Sequence, residues 1–352
     1  MPSKIIIDCE RMKYPNTGLY HFCYNLGKNL LANNTNAKDE INFYIPPNVK
    51  NVFGANNMGI VQKPWHKMLL PKTDKFKVWH ATHQDTSYFP QKRKIPLVLT
   101  IHDLNIINDK SRNQKKKNSF LKDLTKKIKK ADHVTFISSF TKSDTSQYFD
   151  FVNKPNTVIH NGCNIVEIKN LINPFNHPKS PFYFTIGTVV EKKNFHVLCA
   201  LLVGNDRLLI IAGIVQSKAY KQVIIQEAIK YGVEQRLLFV DAITENDKQW
   251  YYKNCEAFFF PSIAEGFGLP VVEAMYFGKP IFLSTFTSLP EIGGEEAYYF
   301  EDFGLESMQQ TFQKGMHHYN ITNASEKIKL RAATFSWQNA AEKYLEIYRS
   351  FY

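Results

Sequence analysis

The sequence predicts an α/β protein built from two doubly wound parallel-sheet domains, and three observations predict it. Short apolar runs alternate with helix-period segments, stop at a proline-rich break, and then start again. The 352 residues are too many for one typical domain and suit two. The runs are continuous rather than alternating in polarity, as in strands covered on both faces by helices.

In the first half the strand candidates are Lys4–Cys9, Ile41–Ile45, Lys77–His80, Leu97–Ile101, His133–Ile137 and Thr157–His160. Helices fit Tyr20–Leu31, Gln114–Lys130 and Phe140–Phe149. Ile165 to Pro181 carries Pro174, Pro178 and Pro181 and reads as a linker. The second set of strands fits Tyr183–Ile186, Arg207–Ala212, Leu237–Val240, Ala257–Phe260 and Pro280–Leu283. Its helices fit Phe195–Leu202, Lys218–Tyr231, Glu245–Asn254 and Val271–Phe277. A last helix, capped by Ser336, places Trp337, Ala341, Tyr344, Leu345 and Tyr348 on one face, which core packing explains. The division is therefore 1–170, 171–335 and a terminal helix, 336–352.

Net charge is +12, which favours an anionic partner. Much of it lies in Lys110 to Lys130, where Lys115 to Lys117, Lys126, Lys127, Lys129 and Lys130 face only Asp123 as an acid after Asp109. Phe120, Leu121, Leu124 and Ile128 share a helical face, so the stretch is a basic amphipathic helix lying on the protein. Two readings stand for its outer face: ordinary solvated surface, or electrostatic docking on an anionic membrane at about 1 kcal/mol per well-placed Lys. A nucleic-acid partner is not expected, since no aromatics or known module interleave the charges. No apolar run reaches the ~20 residues of a membrane helix. The N-terminus runs directly into a strand rather than a signal peptide. The five cysteines lack metal-ligand spacing and read as reduced thiols of a cytoplasmic protein.

The chemistry-bearing residues concentrate after the second domain's strands. Glu265-Gly266-Phe267-Gly268-Leu269-Pro270 follows the strand Ala257–Phe260, and Glu273 falls in the first turn of the next helix. Glycines in a strand-to-helix turn let backbone approach a ligand, and a helix start suits phosphate. A pyrophosphate between two hydroxyl-binding carboxylates describes a sugar nucleotide. Gly187-Thr188 and Lys192-Lys193-Asn194 follow the domain's first strand, where a fixed ammonium would offset the charge of a departing diphosphate. In the first domain, His102 and Asp103 end a strand, and Asn16-Thr17-Gly18 follows the first strand.

These strings resemble the retaining family 4 glycosyltransferases, whose fold is GT-B: two Rossmann-like domains facing each other across a cleft. The resemblance rests on Glu265 to Glu273 as an E-x7-E motif, Phe260-Pro-Ser, Gly278-Lys-Pro, the loop Gly187 to Asn194, Thr100-Ile-His102-Asp103, Asn161-Gly-Cys-Asn164 and Phe335-Ser-Trp. It departs from the family at Thr188, often Arg; at Lys192, a point charge in place of a forked guanidinium; and at Asn164, usually Asp. It implies catalytic roles for His102, Asp103, Lys193 and Glu265. Donor contacts would come from Gly18, Thr188, Lys192, Lys193, Glu265, Gly266, Phe267, Gly268, Leu269 and Glu273, with Glu273 on the ribose. The segment from Ser288 to Glu291 would lie over the nucleotide. It further implies that a hexose, mannose slightly favoured, passes with retention from a nucleoside-diphosphate sugar to a glycan or lipid-linked acceptor. The setting would be bacterial surface-polysaccharide or lipopolysaccharide assembly at the inner face of the cytoplasmic membrane.

No cofactor is expected. No two Asp residues stand two apart, so no metal is expected on the diphosphate. The alternatives are a sugar-nucleotide epimerase of the same fold and a non-catalytic scaffold that keeps the cleft.

Overall fold

The computed structural model of the chain describes residues 2–352 apart from 16, 35–38, 55–58, 69, 71–72, 91–93, 110–111 and 176. Asn16 and Lys110, singled out above, lie outside the described residues. The chain forms two compact units, Met1–Gly162 with Ser336–Tyr352, and Cys163–Phe335. Residues 163–170, which the sequence division places in the first domain, belong to the second unit. Side-chain and backbone bonds hold them there: Asn164 to Glu273 at 3.3 Å, and the Ile168 N–H to Gln249 Oε1 at 3.0 Å.

In the first unit the strands are β1 (Ser3–Asp8), β2 (Asp39–Ile45), β3 (Ile60–Val61), β4 (Val78–Ala81), β5 (Leu97–Ile101), β6 (His133–Phe136) and β7 (Asn156–Val158). They form one sheet in the order β3-β2-β1-β4-β5-β6-β7, with every pairing parallel. The chain winds outward in one direction from β1 and in the other from β4, so the switch point lies between them. In open α/β sheets ligands bind at the carboxyl ends of the strands flanking that point. β5 is buried along its whole length, as its unbroken run Leu-Val-Leu-Thr-Ile requires.

The terminal helix Trp337–Arg349 completes this unit, with Ser336 Oγ accepting from the Asn339 N–H as the expected cap. Its buried face does more than pack. Tyr348 OH lies 2.6 Å from His80 Nδ1, and Tyr344 OH lies 3.1 Å from Thr100 Oγ1 and 3.2 Å from Thr135 Oγ1. Arg349 donates twice to Asp39, at 3.0 and 2.8 Å. The helix is thus pinned to the sheet by buried hydroxyls that an apolar stripe alone does not announce.

In the second unit the strands are β8 (Phe182–Ile186), β9 (Leu208–Ala212), β10 (Leu237–Val240), β11 (Ala257–Phe260), β12 (Ile281–Ser284) and β13 (Tyr298–Phe300). Their order is β10-β9-β8-β11-β12-β13, again all parallel, with the switch point between β8 and β11. The core is aromatic: Phe259 stacks on Phe282 at 5.2 Å, and Phe312 packs against both. Phe312 comes from the helix Leu305–Thr322, an element absent from the sequence reading although Met308, Phe312 and Met316 recur at helical spacing. Phe195–Leu202 is helical but of the tighter 3-10 type. No helix among the described residues is long and apolar enough to cross a membrane.

Candidate active site

The second unit's site is assembled by register. Tyr183 and Phe184 of β8 pair with Ala257 and Phe258 of β11, so the loops that leave these two strands emerge side by side at the switch point. Two bonds lock them together: the Ile263 N–H and Ser262 Oγ both donate to the Lys192 carbonyl, at 2.9 and 3.0 Å. That juxtaposition brings Lys193 Nζ within 2.5 Å of Glu265 Oε1, to which Ser262 Oγ also donates at 2.7 Å. Lys193 Nζ further lies 4.6 Å from the centre of the Phe260 ring. Burial works to raise the Glu265 carboxyl, but the Lys193 and Lys192 charges outweigh it and hold the group below its ordinary range. The expected diphosphate lysine is therefore paired with the expected sugar-binding carboxylate.

Glycine is required where these turns are tightest. Gly268 caps the helix Leu269–Tyr276 at φ +108°, a conformation that costs an L side chain dearly. Gly213, which follows β9, passes so close to Gly187 that a Cβ would sit 2.2 Å from the Gly187 carbonyl oxygen. The loop Glu265–Phe267 is held from behind. Ser288 Oγ donates to the carbonyls of Glu265 and Phe267, at 3.1 and 2.9 Å, and the Glu265 N–H donates to Thr287 Oγ1 at 3.1 Å. The segment after Ser288 is the short helix Leu289–Gly293 rather than a loop. Thr188 is exposed and Lys192 half-buried.

Glu273 is buried and fully partnered. Its Oε1 accepts from Lys248 Nζ at 3.2 Å and from Asn164 Nδ2 at 3.3 Å, and its Oε2 accepts from Tyr252 OH at 3.0 Å. Lys248 also pairs with Glu245 at 2.9 Å. Burial would lower the Lys248 ammonium, but Glu273 and Glu245 outweigh it and raise the group above its usual value. Lys248 and Tyr252 stand four apart on the helix Glu245–Asn254, hence on one face. The sequence reading missed both. The signal was there, a lysine and a tyrosine at helical spacing, but nothing local says which carboxylate they meet. Asn164, which stands where the family usually has Asp, donates to this carboxylate.

In the first unit, His102 and Asp103 follow β5 and lie beside the segment that follows β4, because Ala81 pairs with Leu99. His102 Nε2 is 2.8 Å from the Thr82 carbonyl. Burial pushes its imidazole down to about 4, against a smaller opposing effect of the Thr82 bond, so it is neutral near pH 7. Asp103 Oδ1 accepts from the Asn105 N–H at 2.9 Å, which is a turn-capping bond at the helix Asn105–Asn108. Gln84 ties the two segments: its Oε1 accepts from the His102 N–H at 3.0 Å and its Nε2 donates to the Asp103 carbonyl at 2.8 Å. Gly18 is the exposed first residue of the helix Gly18–Asn33, capped by Thr17 Oγ1 on the Tyr20 N–H.

Beside these residues lies a cluster the sequence reading did not single out. Asp8, at the end of β1, is buried. Burial, reinforced by Glu10, raises its carboxyl to about 7, against the bond from Thr86 Oγ1. Lys127, on the inner face of the basic helix Gln114–Lys130, donates to the carbonyls of Gln84 and Thr86 at 2.8 and 3.0 Å. It is a structural lysine. Lys115, Lys116, Lys122, Lys126, Lys129 and Lys130 stay exposed.

Two family models match the chain in succession: Glycosyltransferase Family 4 over residues 28–167 and Glycosyl transferases group 1 over residues 167–313. The chain belongs to the family 4 glycosyltransferases. Among curated relatives of this glycosyltransferase, O-antigen chain mannosyltransferase B of Escherichia coli is 22% identical over 98% of this chain and 99% of its own length. The serotype-specific mannosyltransferase WbdA of Escherichia coli is 34% identical over 125 residues, which is 35% of this chain and 15% of WbdA. The chain thus matches only a small part of that much longer relative.

The fold is GT-B. Sucrose-phosphate synthase from Thermosynechococcus elongatus superposes with a TM-score of 0.76 at 16% identity, covering 99% of this chain and 98% of its own. HepE of Anabaena, solved with UDP-glucose, gives 0.74 at 16% identity, with 99% of each chain covered.

Proposed function

We propose that this glycosyltransferase moves a hexose, mannose by preference, from a nucleoside-diphosphate sugar to a glycan or lipid-linked acceptor, with retention and without a metal. The observation that carries the reading is the pairing of Lys193 with Glu265 at the carboxyl ends of adjacent strands at a switch point, beside a buried Glu273. The mannose preference and the setting in bacterial surface-polysaccharide assembly follow the relatives named as mannosyltransferases of O-antigen chains.

In this reading Lys193 exchanges part of its contact with Glu265 for the diphosphate and stabilises the charge that grows on the leaving group. Glu265, released in part, holds hydroxyls of the transferred sugar. Glu273, oriented by Lys248, Tyr252 and Asn164, accepts from the ribose hydroxyls. The Gly266–Leu269 turn brings backbone close to the phosphates. His102 is neutral and suited to a sugar hydroxyl, and Asp103 holds the turn beneath it. The absence of a D-x-D pair, with a lysine in position to offset the charge, supports metal independence. The exposed lysines of Gln114–Lys130 suit an anionic membrane surface, where a lipid-linked acceptor would be met.

A thermal-shift panel of UDP-, GDP-, ADP- and TDP-sugars run in EDTA tests the donor site, since a ligand at 100 times its Kd adds about 2.7 kcal/mol of stability. A shift from one base only, lost in Glu273→Ala, is expected. Transfer by that donor in EDTA should give a product with the donor's anomeric configuration. Inversion, or activity that returns only with magnesium, would refute the corresponding part of the proposal. Release of an altered sugar nucleotide without any acceptor would favour the epimerase.

A further inference from the structure

Two histidines lie side by side at the carboxyl edge of the first unit's sheet, and their hydrogen bonds fix which nitrogen of each carries the proton. His102 Nε2 faces the Thr82 carbonyl at 2.8 Å. A carbonyl can only accept, so Nε2 is the protonated nitrogen and Nδ1 keeps its lone pair. His83 has the complementary arrangement. Its Nδ1 accepts from the Asp85 N–H at 3.0 Å, so its proton sits on Nε2. Both rings are neutral. Burial depresses His102 to about 4 and His83 well below the usual imidazole value, with the neighbouring His102, Arg11 and Lys127 adding to the effect on His83.

The pair therefore offers one fixed donor, His83 Nε2–H, and one fixed acceptor, His102 Nδ1. Neither nitrogen has a hydrogen-bond partner among the described residues. The residues are 6% and 5% exposed, and their ring centroids are 5.3 Å apart at a 37° tilt. Each nitrogen is open to solvent rather than sealed in the core, so a ligand that donates and accepts can reach both. The surrounding bonds fix the backbone that carries both rings: Gln84 Oε1 accepts from the His102 N–H, Lys127 donates to the Gln84 and Thr86 carbonyls, and Arg11 donates to the Asp85 carbonyl at 3.0 Å.

We propose that His83 is a second sugar-binding residue, which reads one hydroxyl of the transferred sugar jointly with His102. His83 Nε2–H donates to the hydroxyl oxygen, and the hydroxyl hydrogen is donated to His102 Nδ1. A hydroxyl is the common sugar group that donates and accepts at one atom, and an oxygen about 2.8 Å from each nitrogen can bridge rings at this separation. A site built this way rejects a deoxy sugar strongly, because both nitrogens would stay unpaired. The identity of the ligand rests on the glycosyltransferase reading; the proton positions do not.

The test has two arms. Long-range proton–nitrogen correlation spectra of the whole protein, without ligand, should show both histidines neutral at pH 7 with the proton on Nε2. A proton on Nδ1 of either ring overturns the proposal. The second arm uses the sugar nucleotide found active in the panel, its nucleoside diphosphate, and deoxy-sugar analogues. His83→Phe should lower kcat/KM and sugar-nucleotide affinity by about tenfold or more, leave nucleoside-diphosphate affinity unchanged, and lose the wild-type penalty against one deoxy analogue. His83→Gln, which keeps a donor near the Nε2 position, should recover most of the loss. Normal kcat/KM in His83→Phe overturns the proposal, as does a loss shared with the bare nucleotide or confined to the acceptor's KM. If no sugar nucleotide binds at all, the functional reading fails and takes the sugar assignment with it. Correct tautomers with an unaffected His83→Phe enzyme sink this proposal alone.

Discussion

The two units place polar chemistry at equivalent points of equivalent sheets but treat charge in opposite ways. At the β8/β11 switch point the second unit gives each of its carboxylates a lysine: Glu265 has Lys193 and Glu273 has Lys248. Beside the β1/β4 switch point the first unit favours the neutral forms of its histidines and of Asp8 by burying them. His80, His83 and His102 are depressed and Asp8 is raised. Charged groups suit a phosphate and its counter-charges, and neutral donors and acceptors suit hydroxyls. In the function proposed above, the same architecture separates the recognition of an ionic ligand part from that of an uncharged one.

The largest expected effect that tests this contrast is on stability against pH. A histidine whose imidazole is depressed on folding contributes stability above about pH 6.5, and that contribution is lost as pH falls toward the folded value. For His102 and His80 the folded values are about 4 and about 3. Asp8, raised to about 7, acts the other way and offsets one histidine. With His83 also depressed, three histidines less Asp8 leave two net protons, so the first unit should lose on the order of 3 kcal/mol between pH 6.5 and 5, at up to about 1.4 kcal/mol per net proton per pH unit. Hydrogen exchange of the β4 and β5 amides measures it. Unchanged protection at pH 5 would mean that these histidines are not held neutral.

Catalysis gives the next effect. Lys193→Ala should cut kcat by about 10²–10³, as for the loss of one preorganised charge donor, and near-normal turnover would remove Lys193 from the chemistry. Lys248→Met leaves Glu273 buried with Tyr252 and Asn164 but no counter-charge. It should cost about 3 kcal/mol in urea unfolding, whereas a neutral outcome would show that two neutral donors suffice.

In the first unit, Tyr348→Phe strips one bond from buried His80 without adding charge. About 1–2 kcal/mol is expected there. A cost as large as that of Lys248→Met would erase the distinction between the units. Smallest of all, Lys122→Glu with Lys126→Glu and Lys129→Glu should shift stability by only about 0.5 kcal/mol per site. The same triple variant should abolish co-sedimentation with vesicles containing phosphatidylserine. Retained binding would show that the helix is ordinary solvated surface.

The parts of this site that were legible in sequence are the parts built within one short stretch. Glu265, Gly268 and Glu273 read together because strand, turn and helix follow one another without interruption, and Lys193 follows its own strand in the same way. Lys248 and His83 were not legible as site residues, since each acquires its role from a residue on another segment. Lys248 is 25 positions from Glu273. His83 meets His102 only through the parallel pairing of β4 with β5. The buried hydroxyls of Tyr344 and Tyr348 and the ligation of Glu273 by Asn164 were hidden for the same reason.

By itself, the sequence determined the α/β alternation, the two-unit plan, the helix cap at Ser336, and the positions where glycine must stand, because these follow from local sterics and from the period of apolar residues. Only the tertiary structure decided which charges are paired, which histidines are neutral and which nitrogen of each bears the proton. Those properties depend on burial and on partners brought together by strand register, and no local pattern encodes them.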